Sequence, residues 1–272
     1  MQNQIPILIT APEGYAQRFR EALLSVSNSS GKLFKPTCIP MIETVVAYES
    51  PTFKAFMEII GSFDYIVFSS RKAIEAVAAY HTVANRKLPE KMKCCAIGKD
   101  NEFLEECLGI HPSFIPDEPS PAGIVRKFSK IAGIEGKRVA VLAPLVTGME
   151  EPDTVPLFMK ALHDIGMVAD RIPAYITRAT IHSKQKQIHQ LILSRHFRCI
   201  AFSSGAEIKA LLESLSPEES ITDFFFGIDI ACFGPYTADY ARKQGLPVCL
   251  TAKDFSSFHG FALILEDFYT SL

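Results

Sequence analysis

The chain has 272 residues, 48% of them hydrophobic, and a formal net charge of −2 from 28 basic and 30 acidic side chains. That length suits two domains, each with its own core. The even charge balance, with no Lys/Arg block, argues against a nucleic-acid partner.

The start, Met1-Gln2-Asn3-Gln4, lacks the basic n-region of a secretory signal, and Ile5 to Thr10 is too short for its apolar core. The most apolar later stretch, Phe224 to Phe233, is interrupted by Asp229. It falls far short of the roughly 20 apolar residues of a membrane span. The expected location is the cytoplasm, without membrane contact. Seven cysteines, two of them adjacent (Cys94 and Cys95) and none in a Cys-x-x-Cys pair, suit neither a disulfide framework nor a zinc site. They read as small buried hydrophobes in a reducing compartment.

In chain order, Ile5–Thr10 is a short apolar strand, followed by a helix whose apolar face carries Tyr15, Phe19, Ala22, Leu23 and Val26. Ile39–Thr44 is β-rich with an early proline, which suits an edge or linker strand. Tyr65–Phe68 is a strand ended by Ser69-Ser70, and Cys95-Ala96-Ile97-Gly98 ends in a glycine turn. Val139–Ala143 opens the second half, and Phe158, Leu162 and Ile165 mark the next helix. Ile172–Thr177 is again β-rich with an early proline and likewise suits an edge or linker strand, and Ile200–Phe202 ends in Ser203-Ser204. Ile208, Leu211, Leu212 and Leu215 mark a further helix, and Ile228–Phe233 runs into Gly234. Short apolar strands alternating with amphipathic helices predict parallel sheets covered on both faces.

The halves repeat one another. Ile7 aligns with Val139, Ile39 with Ile172, Tyr65 with Cys199 and Cys95 with Ala231, at an offset growing from about 132 to about 136 positions. Gly109 with Gly245 and Gly123 with Gly260 keep the order. One α/β unit has been duplicated. The repeat alone leaves open whether the lobes divide in tandem, near Gly133–Gly136, or are crossed, with the first unit joining the last.

Ligands of open α/β sheets bind beyond the carboxyl ends of the strands. Ser69-Ser70 and Ser203-Ser204 fall there, where a serine caps a helix or the first-turn N–H groups hold an anion. The glycine turns Gly98-Lys99-Asp100-Asn101 and Gly234-Pro235-Tyr236-Thr237 are backbone-donor sites in form, with glycine allowing close approach or positive φ. No G-x-G-x-x-G, Walker A, H-E-x-x-H or G-x-S-x-G pattern is present, so neither a nucleotide nor a metal is expected. His182, His189 and His196, seven apart, read as a solvated stripe. Arg71, Lys72, Lys99 and Arg178 together suit a polycarboxylate.

Three stretches resemble the uroporphyrinogen-III synthase family: Asp64 to Ala76, Ala201-Phe202-Ser203-Ser204-Gly205-Ala206, and Ile230 to Ala238 with its Phe-Gly-Pro-x-Thr-Ala turn. Gly245-Leu246-Pro247-Val248 fits as well. The resemblance implies an α/β fold of two Rossmann-like lobes with parallel sheets, joined by a two-stranded linker and crossed. Residues 1–40 with 178–272 would form one lobe, 45–171 the other, and 41–44 and 172–177 the linker strands.

It also implies a cofactor-free reaction in which hydroxymethylbilane loses water, ring D is inverted through a spiro intermediate, and the macrocycle closes as uroporphyrinogen III. The family's linker tyrosine falls on Tyr175, which would assist departure of the hydroxyl; a phenol of ordinary pKa stays protonated at neutral pH. Substrate-facing positions fall on Ser70, Ser203 and Thr237. With Ser69, Lys99, Asn101, Ser204, Gly234 and Tyr236 they complete the expected binding set. The chain departs from the family in the acidic Ala143–Pro152 stretch, in Asn101 where threonine is usual, and in Tyr236 before Thr237. A monomer is expected, with room for transient contact with the enzyme that delivers the substrate. The alternative is a non-catalytic two-lobed cytosolic protein that binds a small polycarboxylate.

Overall fold

A computed structural model describes residues 4–30, 34–85, 88–89, 92–216 and 218–271. The chain runs β1 (Ile5–Ile9), α1 (Glu13–Ser30), β2 (Phe34–Cys38), β3 (Ile42–Val46), α2 (Pro51–Ile59), a 3-10 turn, β4 (Tyr65–Phe68), α3 (Arg71–Ala84), β5 (Cys94–Ala96), α4 (Asp100–Leu108) and α5 (Pro121–Phe128). It continues β6 (Arg138–Thr147), α6 (Thr154–Asp164), β7 (Val168–Ala179), α7 (His182–Leu193), β8 (Cys199–Phe202), α8 (Gly205–Leu212), α9 (Ile221–Phe224), β9 (Asp229–Cys232), α10 (Pro235–Lys243), β10 (Val248–Thr251) and α11 (Phe258–Thr270).

These elements form two compact units. One comprises residues 1–43, 148–151 and 178–272, the other 44–147 and 152–177. We refer to them as the first and second unit.

In the first unit the strand order is β10-β9-β8-β1-β2, and every pairing is parallel. Its strands alternate between two buried layers. Leu8, Ile200, Phe202, Ile230 and Cys232 face α7, α8 and α10, whereas Ile7, Ile9, Cys199, Ala201 and Ala231 face α1 and α11. That period of two is what near-continuous apolar strands need when both faces are covered. On the second face Phe19 stacks on Phe261 at 4.8 Å between ring centroids.

In the second unit the order is β3-β7-β6-β4-β5. β4 pairs parallel with β5 and with β6. Ile66, Phe68, Ala140 and Leu142 join the layer containing α2 and α3, while Val67, Val139 and Val141 join the layer of α5 and α6. β3 is the exception to the parallel rule. The Ala47 N–H donates to Ala174 O and the Thr180 N–H to Met41 O, so residue numbers run in opposite senses and the two strands are antiparallel.

This sheet is therefore mixed, with its antiparallel member at the edge. Pro40 lies just before that edge strand, as expected. Pro173 does not lie at an edge: it sits inside β7, between β3 and β6, where it costs the ladder one donor.

The duplication extends to helix caps. In α5 and α11 the N-cap serines Ser120 and Ser257 accept from the N–H groups of Gly123 and Gly260, at 3.0 and 3.1 Å. Each glycine is packed against an acidic residue: a Cβ would lie 2.1 Å from Glu118 O at Gly123 and 2.4 Å from Asp254 Oδ2 at Gly260. Space, not φ, requires glycine at both places.

The cysteine reading holds in part. Cys94, Cys95, Cys199 and Cys232 are buried and all seven thiols are free, but Cys107 and Cys249 are exposed. Cys107 lies on α4 and Cys249 on the edge strand β10, where a small residue can point outward.

Candidate active site

In the second unit, β4 delivers Ser69 and Ser70 to the N-terminus of α3. The fold places Tyr175, from β7, beside them. Tyr175 is 7% exposed, and its ring packs in the layer of Phe68, Leu142 and Ile74. Burial pushes the phenol above its ordinary value; the Ser70 and Ser69 hydroxyls and Arg171 oppose the rise, and Asp100 adds to it. The Oγ atoms of Ser69 and Ser70 are themselves buried and have no hydrogen-bond partner among the described residues. Ser70 is the N-cap of α3 but accepts no N–H from it. Three hydroxyls thus converge at the carboxyl end of one strand, with those of Ser69 and Ser70 close enough to the Tyr175 oxygen to act on it but in no well-formed hydrogen bond among the described residues. Unpaired buried hydroxyls are costly and uncommon, and they mark places where a ligand or water completes the structure.

The basic residues of the expected polycarboxylate set are mostly engaged. Arg71 pairs with Asp100 at 3.3 Å and lies 4.1 Å over the Phe103 ring. Lys72 pairs with Glu75 and Arg178 with Glu43. Arg171, from β7, donates to Pro144 O. Lys99 is exposed at the start of α4.

Asn101 closes its own turn. It is 3% exposed, and its amide is spent on the backbone of Ala96 and Gly98. The turn it closes contains Gly98 at φ 56°, in the left-handed region that favours glycine.

In the first unit, β8 delivers Ser203 and Ser204 to α8 in the same way. Here both hydroxyls are committed: they donate to Glu207, Ser204 at 2.9 Å. Glu207 also accepts from the Ser203 N–H at 3.1 Å and from Thr10 Oγ1 at 2.7 Å. Burial raises its carboxyl above the usual range, and these donors work against the rise. Thr237 is buried and donates to Ser203 O at 3.2 Å. Tyr236, next to it, is 41% exposed.

Gly234 caps α10 with an extended backbone, φ −166°, so positive φ is not its reason. A Cβ there would lie 2.9 Å from Phe255 Cβ. The first turns of α3, α8 and α10 all lack a side-chain cap. Those of α4, α6 and α7 lack one as well, whereas serines cap α2, α5, α9 and α11.

The acidic Ala143–Pro152 stretch divides. β6 extends through Thr147, and residues 148–151 belong to the first unit. There Met149 packs on the core, and Glu150 pairs with Lys209. Of the histidine stripe, His189 bonds Glu219 at 2.6 Å, His196 lies edge-on to Phe197, and the His182 side chain lies outside the described residues. No cluster of three or more metal-ligating side chains occurs among the described residues.

The family model of uroporphyrinogen-III synthase HemD matches residues 28–262. The chain belongs to the uroporphyrinogen-III synthase family. Among solved structures, it is similar to a mutant uroporphyrinogen III synthase from the extremely thermophilic bacterium Thermus thermophilus. The TM-score is 0.64 at 16% identity, covering 97% of this chain and 99% of that one. The wild-type enzyme of the same organism in a second crystal form gives a TM-score of 0.50, again at 16% identity over 97% and 99%. At that identity the likeness speaks for the two-lobed α/β fold. No curated protein matches the chain.

Within this family member, Glu207 is the residue that reading the sequence missed. Its signal was present: Ser204-x-x-Glu207 is a capping-box spacing, ahead of the apolar run of α8. No helix among the described residues is long and apolar enough to cross a membrane.

Proposed function

We propose that this chain is a cytoplasmic, cofactor-free, cyclising lyase that converts hydroxymethylbilane to uroporphyrinogen III, losing water and inverting ring D. The family match across residues 28–262 carries this reading. The Tyr175 cluster supports it chemically. The reaction needs a proton for the departing hydroxyl, and Tyr175 is a neutral phenol whose burial keeps its proton in place through the physiological range. The buried hydroxyls of Ser69 and Ser70, without a hydrogen-bond partner among the described residues, are polar groups a substrate can satisfy.

Within each unit, substrate carboxylates would meet uncapped first turns, that of α3 in the second unit and those of α8 and α10 in the first, whose N–H groups carry partial positive charge. Lys99 and Tyr236 are the exposed members of the set and would contact the substrate's periphery. Asn101, Thr237 and Gly234 would shape the turns rather than touch the substrate. Catalysis then rests largely on positioning.

The test generates hydroxymethylbilane in situ, adds the protein, oxidises the products and separates the uroporphyrin isomers. Unassisted closure gives isomer I. A protein-dependent excess of isomer III is the expected result, and isomer I alone from folded protein would overturn the reading.

A further inference from the structure

The two serine turns descend from one duplicated unit, yet they differ in one respect. Ser203-Ser204 is held by Glu207, which is 0% exposed and stands three residues after Ser204. Three residues after Ser70 stands Ala73, also fully buried, and Ser69 and Ser70 have no partner among the described residues. Thr10, the remaining donor to Glu207, aligns in the repeat with Leu142. At the equivalent positions the second unit thus carries Ala73 in place of the carboxylate and Leu142 in place of its outer donor.

A buried carboxylate is expensive unless it is saturated with donors. Glu207 is saturated: Thr10 Oγ1 and the Ser203 N–H serve Oε2, while the Ser203 and Ser204 hydroxyls serve Oε1. This arrangement ties the end of β1, the end of β8 and the first turn of α8 together. Thr237 adds α10 through Ser203 O. The Ser203–Ser204 turn is therefore fixed from three elements. Its hydroxyl protons point inward, and Ser204 does not cap its own helix.

We propose that Glu207 is a positioning residue of the first unit's substrate-binding turn, holding Ser203-Ser204 in a preset shape while Ser69-Ser70, with no carboxylate behind it, keeps its hydroxyls for the substrate. This rests on the reading of the preceding subsection and deepens it. Each unit thus carries its own version of the duplicated turn: in the first the backbone is held rigid, in the second the side-chain hydroxyls stay uncommitted among the described residues.

The experiment compares steady-state constants for isomer III formation in wild type, Glu207→Ala and Glu207→Gln, well below each variant's melting temperature. Glu207→Ala raises KM at least tenfold with kcat changed less than threefold. Glu207→Gln, which keeps the shape and can bond all four partners if the serines accept from its amide, recovers most of that loss. Ser69→Ala with Ser70→Ala raises KM, whereas Ser204→Ala raises it little, and not at all when added to Glu207→Ala.

If Glu207→Ala does not fold, Thr10→Val carries the same test. It keeps the side-chain shape, removes one donor, and raises KM a few-fold. A Glu207→Ala or Thr10→Val variant that melts earlier but keeps the wild-type KM overturns the inference and leaves Glu207 a purely structural residue. Absence of isomer III from wild type is a different failure, that of the enzymatic reading.

Discussion

Asn101 grips Ala96 from both sides: its Nδ2 donates to Ala96 O at 2.8 Å, and its Oδ1 accepts the Ala96 N–H at 2.8 Å. The side-chain amide thus stands in for a neighbouring backbone at the end of β5, and its second proton reaches Gly98 O at 2.9 Å. Asn101→Asp keeps the size but replaces two donors with acceptors, which then face two carbonyls. The expected loss is about 2–4 kcal/mol, the cost of buried polar groups left unpaired, read by urea unfolding. Asn101→Thr cannot span both backbone groups of Ala96 and should lose nearly as much. If Asn101→Asp is neutral, the turn is not held by this amide.

For Tyr175, removing the hydroxyl separates chemistry from packing. Tyr175→Phe keeps the ring in its layer and takes away no donor that Ser69 or Ser70 depends on. Turnover should fall about ten- to a hundredfold, the scale of a modest general-acid contribution, while the unfolding midpoint moves little. The phenol's pKa is raised above 10.0 in the fold. Below that value both folded and unfolded chains keep the proton, so Tyr175 contributes no pH dependence to stability. Above it the unfolded chain ionises first, and stability falls as pH climbs. Accordingly, no alkaline limb of kcat below about pH 10 should belong to Tyr175. Wild-type turnover in Tyr175→Phe would remove its role.

Strand identity was legible at β4, β8 and β9 because each is a short apolar run that leads into a serine pair or a glycine. β4 fell on Tyr65–Phe68 as read, and β8 and β9 within a residue or two. β2 and β10 were not legible. β2, with Lys35 and Pro36 in five residues, and the four-residue β10 each close the edge of their sheet, where alternation is weak. Placement of the serine pairs could be read from local pattern, since a strand end followed by a helix start is a local event. The state of their hydroxyls could not. It depends on Glu207, itself positioned by a helix, and on Thr10, which lies 197 residues away in the chain. For Asn101 the sequence offered only a polar residue in a glycine turn, and nothing local says that its amide turns inward.

The glycines at the third position of α5 and α11 allow a graded test of the duplicated cap. Alanine is the better helix former by about 1 kcal/mol, so propensity alone predicts stabilisation. Packing predicts the opposite. At Gly123 the new methyl would meet a backbone carbonyl, Glu118 O, at 2.1 Å. At Gly260 it would meet the Asp254 carboxylate at 2.4 Å and its carbonyl at 2.9 Å. A side chain can swing aside, whereas backbone cannot without moving the loop. Gly123→Ala should therefore cost about 2 kcal/mol or more net, and Gly260→Ala less. Equal midpoints in thermal unfolding would show that both loops yield freely.

Thiol chemistry should sort the cysteines by burial and expose their contribution to alkaline stability. Burial pushes Cys94 and Cys232 from 9.0 to about 12, and each sits in a strand between helices. Cys107 and Cys249, although exposed, are also raised, chiefly by desolvation. Only the thiolate reacts, so maleimide or iodoacetamide at neutral pH should label Cys107 and Cys249 slowly and the buried Cys94, Cys95, Cys199 and Cys232 only after unfolding, as peptide mass spectrometry would report. The sign of the stability effect follows from the same shifts. An unfolded thiol loses its proton near 9.0, while Cys94 and Cys232 keep theirs until about 12. Across that interval the folded chain binds more protons, so stability declines with rising pH. Cys94→Ala and Cys232→Ala each remove one such group and should make stability fall less steeply between about pH 9 and 12, at the cost of a small cavity at neutral pH. An unchanged slope in both variants would mean that other groups govern the alkaline transition.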